Sequence, residues 1–318
     1  MKLLNHLEAK RLISPPSWLA SNLQYLTIMG SEAYGCATDT SDKDLYGFVI
    51  PPKDHVFPHT AGIIFVPQKE GGVWKPMHFL PNPAWSQWQQ HGVVDKDAGK
   101  KYDFTIFNIV RYFDLLVENN PNIIDSLFTS TECVMHQTRV ASMVREQRRI
   151  FLHKGIWHRF KQYAMSQLHK MTSKEPDPNG NRAALREKFG FDVKFGYNVC
   201  RLLNECEQVL TTGEIDLRQI NEYLKAIRRG DVSEADIRRW ATEKEHALEG
   251  LFATTKLPDE PPMGQVKALL FACLEEHYGT LEGVLIEPDA AIMALRQIED
   301  VLRKNRGLIW GGVKQDGN

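Results

Sequence analysis

The sequence predicts an α+β protein, with a mixed α/β domain over residues 1–137 and an α-helical domain over residues 138–318. In the first part, short apolar runs alternate with Gly, Pro and Asn turns, which is typical of strands mixed with short helices. From residue 138 onward, apolar residues recur at helical spacing with few breaks. The length of 318 residues leaves room for two domains with a substantial core.

The N-terminal domain is predicted to begin with one or two short helices within residues 3–23, separated by Pro15 and Pro16. The predicted strands are Tyr25–Met29, Leu45–Ile50, Gly62–Val66, Val73–Phe79 and Tyr102–Phe107, with a short helix or turn at Ser31–Cys36. Helices are predicted at Ile109–Val117 and Ile123–Phe128, on either side of an Asn-Pro-Asn turn.

The stretch between residues 80 and 100 is rich in Pro, Gly, Gln and charge, and we predict a long surface loop there. Trp85 and Trp88 in this stretch could stack on a base, but we favour the interpretation that they pin the loop to the protein.

In the C-terminal domain, helices are predicted at 138–149, 154–170, 192–211, 218–228, 233–253, 263–277 and 288–304. The clearest breaks between them are residues 173–181 and 254–262, both rich in Pro and polar residues.

Composition excludes several classes of protein. Hydrophobic residues make up 42% and charged residues 25% of the chain, which excludes a disordered or fibrous protein. The formal net charge of -1 gives no sign of a nucleic-acid partner, so a polyanion site would need local clustering. The five cysteines are scattered without a CxxC pair, and no apolar run is long enough to span a membrane. We therefore expect a cytoplasmic protein without a membrane partner, zinc site or disulfide framework.

Two aspartates at the start of the second predicted strand form the first candidate site. Asp42 and Asp44 would point to one face of that strand, while Lys43 points to the other. Two convergent carboxylates repel each other unless a cation neutralises them, and oxygen ligands favour Mg²⁺ or Mn²⁺. An isolated Asp-x-Asp is more often a solvated turn, but the apolar runs on both sides here favour a metal site.

A site that holds two metal ions normally needs a third carboxylate from another strand. Asp103 fits best because Tyr102 precedes it and an apolar run follows, although a strand-end cap or a salt-bridge partner is an alternative role. Asp95, Asp97 and Asp114 are rivals, the first two in the predicted loop and the third on a predicted helix.

A Gly-Ser turn lies upstream of the two aspartates. Gly30 and Ser31 end the first predicted strand, where backbone N–H groups and a hydroxyl can bind a phosphate. Ser31 could also simply cap a helix, and the two roles are compatible. The order Gly-Ser, ten residues, then Asp-x-Asp between two strands resembles the signature of the DNA polymerase beta-like nucleotidyltransferase superfamily.

Three longer sequence segments narrow this resemblance to one group within the superfamily. GSEAYGCATDTSDKDLYGFVIPP, DFTIFNIVRYFDLLVENNPNIIDSLF and FGFDVKFGYNVCRLL resemble bacterial and phage nucleotidyltransferases associated with RNA repair, over roughly residues 25–210. The chain departs from those relatives at Glu32, where many have a basic residue, and at Asn198, where they often have His.

The resemblance implies that Gly30 and Ser31 contact a triphosphate and that Asp42, Asp44 and Asp103 hold two Mg²⁺ or Mn²⁺ ions. It implies transfer of a nucleoside monophosphate from a nucleoside triphosphate, with ATP the favoured donor, to an RNA 3′ end, with release of pyrophosphate. Two alternatives remain open, namely transfer of AMP to a protein and a catalytically silent nucleotide- or RNA-binding module.

The helical domain adds weaker candidates. Lys194, Asn198 and Arg201 align on one face of a predicted helix and could bind the triphosphate, although solvation explains them equally well. Tyr163 and Ser166 are candidates of the same kind. Seven Lys and Arg residues between residues 145 and 170 predict a polyanion site, while the aromatic residues among them are better explained as a buried stripe.

Overall fold

The computed structural model describes residues 2–38, 41–56, 69–70, 73–74, 86–173, 181–279, 298 and 301–302. These residues fall into two compact units, one within 1–52 and 78–277 and the other within 53–77 and 278–318. The predicted domain boundary at residue 137 lies within the range of the first unit and stays a prediction.

The first unit begins with helices and a sheet. Its elements up to residue 137 are α1 (Lys2–Ala9), α2 (Leu19–Asn22), β1 (Leu23–Met29), α3 (Gly30–Ala33), β2 (Lys43–Val49), β5 (Gln87–Asp95), β6 (Lys100–Asn108), α5 (Ile109–Val117), α6 (Pro121–Phe128) and β7 (Val134–Gln137). The second unit contributes α4 (Lys53–Val56) and the antiparallel pair β3 (Lys69–Glu70) and β4 (Val73–Trp74).

The sheet is mixed and confirms the predicted α+β class. Its strand order is β5-β6-β2-β1-β7 among the described residues, and β2 and β6 run parallel while the other neighbours run antiparallel. All seven residues of β1 are buried, so both faces of the sheet are covered at this strand. Helix α5 has the predicted bounds, and the Asn108 side chain caps it by accepting a hydrogen bond from the Arg111 N–H at 3.1 Å.

The prediction of a loop between residues 80 and 100 is wrong from residue 87 onward, because Gln87–Asp95 forms β5 at the edge of the sheet. Polar side chains are tolerated at an edge, and the bulge at Gly92 interrupts the alternation that normally reveals a strand. Trp88 packs on Phe104 with ring centroids 5.5 Å apart, which supports the pinning interpretation. Trp85, the predicted strand Gly62–Val66 and residues 75–79 lie outside the described residues.

The remaining helices are α7 (Arg139–Glu146), α8 (Gly155–Ser173), α9 (Asn181–Phe189), α10 (Val193–Thr212), α11 (Asn221–Arg229), α12 (Glu234–Thr254) and α13 (Met263–Tyr278), all within the first unit except the last residue of α13. Helix α10 is the core of this part: 15 of its 20 residues are buried, and it packs against α8, α11 and α12. The short elements β7 and α9 were not predicted, and most of the predicted helix 288–304 lies outside the described residues.

No helix among the residues placed by the structure has the length and apolar character needed to cross a membrane.

Candidate active site

Two adjacent strands bring the predicted carboxylates together. In the parallel pairing of β2 with β6, Asp44 lies directly opposite Asp103, and Asp42 immediately precedes β2. The pairing follows from the buried apolar runs after each aspartate, since a shift of one residue would turn those runs out of the core. The structure therefore places Asp103 beside Asp44, and its role as the third metal ligand stays a prediction.

The Gly-Ser turn lies beside these strands because β1 pairs with β2 and places Met29 opposite Asp44. Gly30 follows Met29 with a φ of +64°, a conformation that L residues rarely adopt. A Cβ built on Gly30 would overlap the Asp44 Oδ2 atom. Glycine is thus required here both for the backbone conformation and for the close approach of Asp44.

A pocket of about 490 Å³ lies above this junction. It is lined by the predicted residues Gly30, Ser31, Asp42, Asp44, Asp103, Lys194, Asn198 and Arg201. The volume is in the range typical of small-molecule sites.

Two predicted site residues do not line the pocket. Tyr163 is 38% exposed on the surface of α8, and Ser166 lies on the same helix. Helix α8 instead buries Trp157, Phe160 and Ala164, as the aromatic stripe predicted.

The three rival aspartates also lie outside the pocket lining. Asp95 and Asp97 accept hydrogen bonds from Lys10 at 2.9 and 2.8 Å, and Asp114 pairs with Arg111 on α5.

Asp42 and Asp103, the two outer carboxylates on either side of Asp44, each accept a hydrogen bond from a different partner. Lys101 donates a hydrogen bond of 2.7 Å to Asp42 Oδ2, and the Gly92 N–H in the β5 bulge donates one of 2.6 Å to Asp103 Oδ1. His91 Nδ1 lies 3.9 Å from the same Asp103 oxygen. Within the described part of the chain, no three carboxylate, imidazole or thiol groups converge on a point where they could hold a metal ion.

The central carboxylate, Asp44, is in an environment that disfavours its charge. Burial raises its pKa, the neighbouring Asp103 raises it further, and Asp42 acts in the same direction. Lys194 from α10 partly offsets these effects by lowering the pKa of Asp44. The ionised site is therefore short of positive charge, which a bound cation would supply.

Arg201 lines the pocket but is buried in an ion cluster rather than lying on a solvated face. Its guanidinium donates to Asp125 and, at 2.9 Å, to Glu205 Oε2. The Tyr34 hydroxyl donates to Asp125 Oδ2 at 2.8 Å, and the Tyr34 ring lies 4.6 Å from the Arg201 Cζ atom. Arg201 thus joins α10 to α6 and to the turn after Gly-Ser. Its predicted role as a triphosphate contact competes with these two carboxylates.

Other pocket residues were not predicted as site residues, namely Met29, Tyr34, Thr38, Ser41, Tyr46, Asn122, Leu185, Tyr197 and Arg228. Tyr34 and Asn122 lie inside the AYG and Asn-Pro-Asn strings, so those strings could have identified them. Arg228 lies in none of the sequence motifs, and it reaches the pocket because of the way α11 packs.

The basic stretch between residues 145 and 170 is largely compensated by partners elsewhere in the chain. The contacts are Arg145 with the Thr129 carbonyl (2.6 Å), Arg148 and Arg149 with Glu214 (2.8 and 2.6 Å), Lys154 with Asp259 (2.8 Å), Arg159 with Glu118 (3.7 Å) and Lys161 with Glu245 (2.6 Å). The excess of positive charge seen in the sequence is therefore not matched by an equally free basic surface.

A mixed sheet with three carboxylates on adjacent strand ends beside a Gly-Ser turn is the arrangement of a nucleotidyltransferase of the DNA polymerase beta type. Residues 4–270 match the RNA repair pathway DNA polymerase beta family, and the chain belongs to this family. The resemblance found in the sequence is confirmed, and the match extends beyond residue 210.

A solved structure of a nucleotidyltransferase-like protein from Exiguobacterium sibiricum matches over 86% of this chain and 78% of that chain, with 9% identity and a TM-score of 0.27. No curated protein matches the chain significantly in sequence.

Proposed function

We propose that this nucleotidyltransferase moves a nucleoside monophosphate from a nucleoside triphosphate, ATP first, to the 3′ hydroxyl of an RNA. The observation that carries the proposal is the register of β2 with β6, which aligns Asp44 with Asp103 beside Gly30 and Ser31 in one pocket. In the reaction, the acceptor oxygen forms a bond to the α-phosphorus, and the bond from that phosphorus to pyrophosphate breaks.

The chemistry of the three carboxylates suits two Mg²⁺ or Mn²⁺ ions, which would have to draw these side chains closer together than they lie in the structure. Asp42, Asp44 and Asp103 supply hard oxygen ligands, and the pocket-lining residues that the structure describes include no His or Cys. Asp42 would have to exchange its Lys101 partner for a cation. When bound, such ions lower the pKa of an acceptor hydroxyl and stabilise charge on the attacking and leaving oxygens.

The other pocket residues bind and orient the substrate. The backbone N–H groups at the Gly30 turn and the Ser31 hydroxyl can donate hydrogen bonds to the triphosphate, because the turn places them beside the carboxylates. Lys194 lies close enough to Asp44 to influence its pKa, so its ammonium can neutralise phosphate charge at the same position. Asn198 lies one turn further along α10 and offers an uncharged donor and acceptor.

The acceptor is the less constrained half of the proposal. An RNA 3′ end is favoured by the family's description as an RNA repair family. The ion pairs of Lys154, Arg159 and Lys161 favour a second candidate, transfer of AMP to a protein hydroxyl, because these residues are then less available to a polyanion.

The test is a labelling experiment with the full chain, Mg²⁺ and each of the four α-³²P-labelled triphosphates. The acceptors are an RNA with a free 3′ hydroxyl, the same RNA blocked by a 3′ phosphate, and a cell protein extract. We expect label on the free RNA alone, and none with Asp44→Asn. Label on protein would support the second candidate, and no label on either acceptor would overturn transfer.

A further inference from the structure

Arg228 reaches the pocket from α11, a helix that follows the segments carrying the sequence motifs. It is half-buried and lines the same pocket as Gly30, Ser31 and Lys194. Its neighbour Arg229 is exposed and does not line the pocket.

The Arg228 guanidinium is tied to the turn that carries Ser31. Its Nη1 atom donates a hydrogen bond of 2.5 Å to the carbonyl of Cys36, whose own N–H donates to the Ser31 carbonyl at 2.7 Å. The turn also packs against α11, because a Cβ on Gly35 would lie 3.2 Å from Asn221 Nδ2. The position of Arg228 relative to Ser31 is thus set by two successive hydrogen bonds.

The charge of Arg228 is not compensated by an ion pair with any carboxylate that the structure describes. Other basic residues of α11 are paired, Lys225 with Glu222 and Arg229 with Asp231, each at 2.7 Å. Arg201, the other arginine of the pocket, is held by two buried carboxylates. Arg228 is therefore the arginine of this pocket whose charge is available to a ligand.

We propose that Arg228 binds a phosphoryl group of the substrate, so that α11 supplies part of the active site. A guanidinium presents parallel N–H donors that match two phosphate oxygens, and its partial burial strengthens the interaction. The phosphoryl group comes from either the triphosphate or the acceptor backbone. The inference rests on the proposed function for the identity of these substrates, but phosphate binding can be measured without transfer.

The experiment compares Arg228→Gln and Arg228→Lys with the matched control Arg229→Gln. The probes are α,β-methylene-ATP, followed by calorimetry, and a fluorescent 12-nucleotide RNA, followed by anisotropy, each over a range of salt concentrations. Arg228→Gln should weaken binding of one probe by about tenfold, which is the typical effect of losing a charge-assisted hydrogen bond. Arg228→Lys should lose less affinity for that probe than Arg228→Gln, and Arg229→Gln should bind both probes like the wild type.

The probe that is weakened identifies the source of the phosphoryl group. If Arg228→Gln weakens neither probe, the proposal is overturned. It is also overturned if binding weakens while its salt dependence stays that of the wild type, because a lost phosphate contact must reduce that dependence. If Arg228→Gln loses phosphate binding but the wild type labels no acceptor, the inference stands and the proposed transfer fails.

Discussion

Replacing Gly30 by alanine tests whether the Gly-Ser turn and Asp44 work as one unit. At a φ of +64°, alanine costs about 1–2 kcal/mol relative to glycine. The new Cβ would also overlap Asp44 Oδ2, so the carboxylate must leave its position. A further cost of roughly 1 kcal/mol is expected for a side chain forced away from its rotamer. A displacement of about 1 Å at a reacting centre can lower the rate roughly 100-fold.

Gly213→Ala is the matched control. Gly213 follows α10 with a φ of +69°, but nothing lies within 4 Å of a Cβ built there. In urea denaturation, both variants should lose about 1–2 kcal/mol of stability from the positive φ, and Gly30→Ala should lose roughly 1 kcal/mol more. Only Gly30→Ala should lose nucleotidyl transfer in the labelling assay. Transfer by Gly30→Ala at the wild-type rate would show that the position of Asp44 is not critical, and would refute the site geometry.

Three further predictions concern charge. Asp44→Asn should abolish transfer. At pH 7 without added cation its melting temperature should match or exceed that of the wild type, because the raised pKa of the Asp44 carboxyl means that its ionisation opposes folding. A large loss of thermal stability would contradict this. Arg201→Met should lower the free energy of unfolding, measured in urea, by about 3–5 kcal/mol, because it leaves Asp125 and Glu205 buried without their cation. A decrease below about 1 kcal/mol would argue against the ion cluster. Burial lowers the pKa of His136 below 6.5, so on acidification the unfolded state binds a proton at this residue before the folded state does, and stability should fall as the pH drops below 6.5. His136→Gln should therefore flatten the profile of melting temperature against pH in this range. An unchanged profile would exclude His136 as the source of the pH dependence.

The sequence predicted the part of the site that local patterns encode. Asp42, Asp44 and Asp103 each stand where an apolar run begins, and such runs become buried strands whose ends meet in the sheet. Gly30 was predictable for a similar reason, because a strand that ends in Gly-Ser must turn.

What the sequence did not predict depends on contacts between distant segments. Lys101 and Gly92 bind the outer carboxylates, but their roles arise from strand pairing that no local pattern shows. Arg201 was predicted as a triphosphate contact, with a solvated face as the alternative, because its spacing from Lys194 suggests a polar stripe. Its burial with Asp125, 76 positions earlier in the chain, could be seen only in three dimensions.

The Tyr34–Asp125–Arg201–Glu205 cluster has a consequence for how the chain can be divided. A cut at residue 137 would leave Asp125 in one fragment and both Arg201 and Glu205 in the other. Each fragment would then have to hydrate charged groups that the intact chain removes from water, so neither is suited to independent expression. We therefore expect the sheet and the helices around α10 to unfold together. A graft of the sheet onto another scaffold would then require its helical partner as well.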